Sequence, residues 1–198
     1  MTNTFFLPGA GASAAFWRPV ADHLGAVHTK RLFSWPGLGN EPPAADVLGI
    51  DDLVSMVLGE IHEPSDLIAQ SMGGLIAVRA ALAAPEKIRR MVLTAPSAGV
   101  PVDGLGGINW RPEYQKEFPA AAIWIKEVNQ DLSSQIPTIS VPVLLIWGDA
   151  DPISPIAVGE RLYDLLPNAR LHVVKGGDHD LAITHASEVA AIIADHLR

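Results

Sequence analysis

A chain of 198 residues, 48% apolar and 18% charged, is long enough for one domain with a sizeable core and short for two. Its formal net charge of −8 argues against a nucleic-acid partner, which needs clustered Lys and Arg to neutralise phosphates, and suits a neutral or cationic small molecule better. The absence of cysteine rules out disulfides, thiolate catalysis and Cys-ligated zinc.

The first apolar run, Phe5-Phe6-Leu7, meets Pro8-Gly9 after three residues and has no basic stretch before it. It therefore reads as a strand entering a loop and not as a secretory leader. No segment reaches the roughly 20 consecutive apolar residues needed to span a bilayer. A soluble, cytoplasmic protein without membrane contact is expected.

Short apolar runs then recur between stretches of helical period, the pattern of a parallel sheet with crossover helices. The expected strands are Thr4–Leu7, Thr29–Phe33, Asp66–Ala69, Arg90–Thr94, Val143–Trp147 and Arg170–Val174. Phe16, Trp17, Val20 and Leu24 mark a first helix, and Leu53, Val54, Val57, Leu58 and Ile61 a second. Leu75–Ala84 is a third, stopped by Pro85; Ile156–Leu166 is another, and Ser187–Leu197 closes the chain. All this reads as a single domain over residues 1–198.

Pro96 to Pro142 separates two strong strands by more than one crossover helix requires. Within it, Trp110, Tyr114, Phe118, Trp124 and Ile125 stand among polar residues. A short helical cap inserted over about 96–140 is expected, with an ordinary crossover helix and a long loop as the alternative.

The most informative stretch is Asp66-Leu67-Ile68-Ala69-Gln70-Ser71-Met72-Gly73-Gly74, because it joins a buried strand to a helix through small residues. A serine held at the top of a sharp strand-to-helix turn needs small neighbours to avoid clashes, and Ala69 and Gly73 fill the two flanking positions. Ala69-Gln70-Ser71-Met72-Gly73-Gly74 resembles the G-x-S-x-G-G nucleophile elbow of the α/β-hydrolase family, with Ala69 in place of the first glycine.

That resemblance implies a Ser-His-Asp triad in the chain order Ser, acid, His, because a serine hydroxyl needs a base and the base needs an orienting group. Gly148-Asp149-Ala150-Asp151-Pro152 follows an expected strand and is similar to the family's acid loop, which points to Asp151, with Asp149 as a turn residue and second candidate. After the last expected strand, Lys175-Gly176-Gly177-Asp178-His179 offers a glycine pair that can turn the chain sharply to present His179 as base. His185 is the rival, placed where a capping or surface role suits it.

For the oxyanion the resemblance implies backbone N–H groups from the residue after the nucleophile and from the loop after the first strand. Met72 supplies one. Leu7-Pro8-Gly9-Ala10-Gly11 resembles the family's H-G-x loop with Pro8 in the histidine's place, which makes Ala10 the second donor, or Gly11 if the loop is displaced.

The implied fold is a doubly wound α/β sheet of about six mostly parallel strands in the order 2-1-3-4-5-6, without the two N-terminal strands of larger members and with the site at the carboxyl ends. The implied function is serine-hydrolase cleavage of an ester-like bond of a small, apolar substrate through an acyl-enzyme, with no cofactor and no metal. A binding protein that keeps the fold and triad but senses a ligand is the alternative.

Overall fold

The computed structural model describes residues 2–25, 28–102 and 104–198. Six strands form one sheet: β1 (Thr2–Leu7), β2 (His28–Leu32), β3 (Ser65–Gln70), β4 (Ile88–Thr94), β5 (Val143–Gly148) and β6 (Ala169–Val174). Every neighbouring pair is parallel, and the spatial order is β2-β1-β3-β4-β5-β6, as the sequence leads one to expect.

Each strand lies within two residues of its expected bounds. The uniformly apolar runs are explained by position, since β3 and β5 are buried along their whole length with neighbours on both sides. β6, at one edge of the sheet, is half-buried or exposed along most of its length and fully buried only at Val174. Parallel strands are covered on both faces, so interior ones need no polar alternation.

The crossovers contain α1 (Arg18–His23), α2 (Ile50–Glu60), α3 (Met72–Ala83), α4 (Arg111–Glu117) and α5 (Ile156–Leu165), and α6 (Leu181–Thr184) and α7 (Ala186–Leu197) follow β6. α1 packs on α7 and α2 on α3, while α5 lies against β5 and β6. The first expected helix divides in two: Ala14–Trp17 is a 3-10 turn capped by the Ser13 side chain, and α1 follows with Pro19 in its first turn. Ile61 lies one residue past α2 in extended backbone, yet it is buried, so its apolar spacing reflects packing beyond the helix end.

Between β4 and β5 the chain contains α4, 3-10 turns at Ile123–Lys126 and Ile136–Thr138, and irregular backbone; residue 103 lies outside the described residues. Among the described residues no helix is long and apolar enough to cross a membrane.

Parallel pairing sends the carboxyl ends of all six strands to one edge of the sheet. The loops after β1, β3, β5 and β6 therefore meet there, and they carry Ala10, Ser71, Asp151 and His179 respectively.

Candidate active site

Ser71 is the single residue between β3 and α3, with φ 51° and ψ −121°. A non-glycine residue in this region costs on the order of 1–3 kcal/mol and persists only where its surroundings over-determine it. Here the Ser71 N–H donates to Thr94 O at 3.1 Å and its carbonyl accepts from the Gly74 N–H at 2.9 Å. The turn also presses against the end of β1, because a Cβ on Gly73 would overlap the Leu7 and Pro8 carbonyl oxygens. Ala69 is fully buried, so its methyl is accommodated within the core, and its carbonyl accepts from Thr94 Oγ1 at 3.2 Å.

The two candidate carboxylates after β5 sit in different surroundings. Asp149 is exposed, and its Oδ1 accepts from the Gly176 N–H at 2.6 Å, tying the loop after β5 to the loop after β6. Asp151 is buried; its Oδ1 accepts from the N–H groups of Ile153 at 2.8 Å and Ser154 at 2.9 Å. Its Oδ2 lies 2.8 Å from His179 Nδ1. Because an ionised carboxylate only accepts, this contact calls for the proton on Nδ1, and in the neutral ring of that tautomer Nε2 is the nitrogen with the free lone pair.

The loops that bring these groups together are themselves in contact. The Ala150 N–H donates to Gly177 O at 2.9 Å, and Gly148 lies so close to Gly177 that a side chain on it would overlap the Gly177 backbone. Of the glycine pair before His179, Gly177 serves close backbone approach, while Gly176 takes a left-handed φ of 74° that turns the chain. Among the described residues the Ser71 hydroxyl makes no hydrogen bond to the His179 ring. The two are linked through Gln70, buried just before Ser71, whose Nε2 donates to His179 O at 3.2 Å.

Gln70 was not singled out from the sequence. Its 109-residue reach to His179 leaves no local signal.

Met72 opens α3, where the first N–H groups have no intrahelical acceptor and the helix dipole favours negative charge. Ala10 is buried in the loop after β1. That loop is held by the Trp35 Nε1–H donating to Pro8 O at 2.8 Å and by the Ala12 N–H donating to Gly9 O at 3.3 Å. Thus the indole of Trp35 fixes the backbone at Pro8.

His185 precedes α7, and its Nδ1 lies 2.9 Å from the exposed Thr184 hydroxyl. Beside His179, the pKa of the exposed Asp180 is raised by partial desolvation of its carboxyl group, opposed by His179 and reinforced by Asp178 and Asp151. Among the described residues, no group of three or more His, Asp or Glu side chains is arranged to hold a metal ion.

A parallel sheet in this order, with a strained serine at the end of β3 and an Asp–His pair on the loops after β5 and β6, is the arrangement of an α/β-hydrolase-type protein. The "Alpha/beta hydrolase family" model matches residues 5–135, and a second model, "alpha/beta hydrolase fold", matches 106–186. The chain belongs to the α/β hydrolase family.

A pimeloyl-[acyl-carrier protein] methyl ester esterase of Neisseria meningitidis is 26% identical over 237 aligned positions, covering 98% of this chain and 92% of that protein. That alignment is longer than the chain, so the relative carries residues that have no counterpart here. Among solved structures, a thermophilic esterase from Thermogutta terrifontis superposes with a TM-score of 0.84 at 17% identity, covering 100% of this chain and 90% of that one. A meta-cleavage product hydrolase from Pseudomonas fluorescens superposes at 0.82 and 19% identity, covering 100% and 90%.

Proposed function

We propose that this protein is a serine hydrolase of small esters, with Ser71 as nucleophile, His179 as base and Asp151 as the residue that orients the base. The observation that carries the reading is the 2.8 Å contact between Asp151 Oδ2 and His179 Nδ1, on the sheet edge that also carries the strained Ser71. A buried carboxylate with two backbone donors on its other oxygen is fixed in direction, and it aligns the imidazole in the tautomer that can take a proton.

In the proposed reaction Ser71 Oγ attacks the ester carbonyl as its proton passes to His179 Nε2. The Met72 and Ala10 N–H groups receive the developing oxyanion, and Asp151 stabilises the imidazolium. The carbon–oxygen bond to the alcohol then breaks, and the alcohol leaves with the proton from Nε2. A water molecule, deprotonated by His179, attacks the acyl-enzyme; collapse releases the acid and restores Ser71. The Ser71–His179 hydrogen bond is one that forms with bound substrate, as such contacts are often loose in free enzymes. No step calls for a cofactor.

The 96–140 segment is proposed to cap the site, and its aromatic residues favour an apolar acyl or alcohol group. The acidic Asp178 and Asp180 beside His179, together with the net charge of −8, favour uncharged or cationic substrates. The esterase named among the relatives supports an ester as the bond cleaved.

The test is hydrolysis of p-nitrophenyl acetate and butyrate by the wild-type protein and by Ser71→Ala. Turnover in the wild type that is lost in the variant is expected. If the wild type turns over neither ester, the reading gives way to that of a ligand-binding protein on the same fold.

A further inference from the structure

We propose that Tyr114 is a positioning residue of the oxyanion hole, a clamp that the segment between β4 and β5 applies to the loop after β1; this rests on the reading of Ser71 as nucleophile. The Tyr114 ring is 8% exposed, and its hydroxyl donates to Ala10 O at 3.0 Å while accepting from the Gly39 N–H, also at 3.0 Å. The two bonds form a chain in which each polarises the next. Burial raises the phenol above its ordinary pKa, helped by the Glu117 charge and opposed by the Gly39 contact, so the donor proton is retained.

The Ala10 carbonyl shares a planar trans peptide with the Gly11 N–H, so holding the carbonyl toward Tyr114 aims that N–H the opposite way. One plane earlier, the Gly9 carbonyl accepts from the Ala12 N–H and so sets the direction of the Ala10 N–H. Both planes that contain a candidate oxyanion donor are therefore anchored through their carbonyls. The two planes meet at Ala10, so the bond from Tyr114 fixes the Gly11 N–H directly and, by restraining rotation about the Ala10 backbone, holds with the loop's own bond the Ala10 N–H assigned to the oxyanion.

This loop has little means of shaping itself. Gly9-Ala10-Gly11-Ala12 carries nothing larger than a methyl group, so its conformation is imposed by neighbours. Phe118 lies where a Cβ on Gly11 would come within 2.9 Å of its ring. Trp110, Tyr114 and Phe118 follow one another at every fourth position of α4 and just beyond it, with ring centroids 5.5 and 5.1 Å apart. The row is fixed at its base, because Arg111 donates to Lys126 O at 2.9 Å and Val128 O at 2.8 Å. α4 thus acts as a brace as well as a cover.

The experiment compares wild type, Ser71→Ala, Tyr114→Phe and Ile136→Val in steady-state ester hydrolysis and in binding of an alkyl boronic acid, which forms a tetrahedral adduct. Tyr114→Phe keeps the ring and removes only the hydroxyl. It is expected to lower kcat roughly 10- to 100-fold and to weaken the boronic acid by a similar factor, with KM within about twofold. Ile136→Val trims a buried side chain elsewhere in the segment and is expected to leave kcat unchanged. If Tyr114→Phe does not fold, Phe118→Leu loosens the same loop at Gly11 and is read in the same way. Unchanged kcat in the folded variant overturns the proposal, as does an equal fall in Ile136→Val, which would mark a general loss of stability. Absence of Ser71-dependent turnover in the wild type overturns the underlying reading instead, and the Ser71→Ala control makes that outcome distinct.

Discussion

Asp149 and Asp151 stand two residues apart, and both follow the same strand. What separates them is the partner each oxygen finds: a backbone N–H of the neighbouring loop for Asp149, an imidazole for Asp151. Asp151→Asn is expected to lower kcat by about 10³- to 10⁴-fold, because the amide favours the wrong imidazole tautomer. Asp149→Asn removes one charge-assisted bond at the surface and is expected to cost about 1 kcal/mol of stability with little change in kcat; urea titration beside the ester assay separates the two. Gln70→Leu leaves the His179 carbonyl without its donor and is expected to lower kcat about tenfold, with KM little changed. The positions of Ser71, Asp151 and His179 relative to strand ends were readable because each follows an apolar run. Gln70 and Tyr114 were not, since their partners lie far away along the chain.

For the elements, the central strands were the most legible, because strands buried on both faces must be apolar throughout. The short α6 was not, since its four residues carry no period of their own. The irregularity of the 96–140 segment follows from its punctuation: Gly104, Gly106 and Pro119 interrupt it, leaving α4 as its one α-helix among the described residues. At the opposite end of the sheet, the fully buried Asp66 on β3 pairs with Arg89 of β4, Nε to Oδ1 at 2.8 Å. This pairing depends on register across two strands, so the sequence shows the charges but not their union. Arg89→Met strands a buried carboxylate and is expected to destabilise by about 3 kcal/mol, measured by urea unfolding.

Across the whole molecule, the parallel sheet was legible in the alternation of strands and helices, whereas its strand order was expected only from the resemblance to the α/β-hydrolase family. The response to acid depends on tertiary contacts that the sequence does not display. His196 is buried in α7, and its pKa is lowered by that burial and by the nearby Arg170 and Arg90 charges. In the unfolded chain this histidine takes a proton near pH 6.5, whereas the folded protein resists it to lower pH. The unfolded state therefore binds more protons in that interval, and stability falls as pH drops below about 6.5 toward the folded value. His196→Gln is expected to flatten the decline in Tm between pH 7 and 5.

Whether Ser71 is the activated nucleophile, as proposed, is tested by reaction with a fluorophosphonate followed by mass spectrometry. One adduct per chain on the peptide containing Ser71 is expected, absent from Ser71→Ala and much slower in His179→Ala. No adduct on the wild-type protein, or equal labelling of Ser71→Ala, would contradict the account.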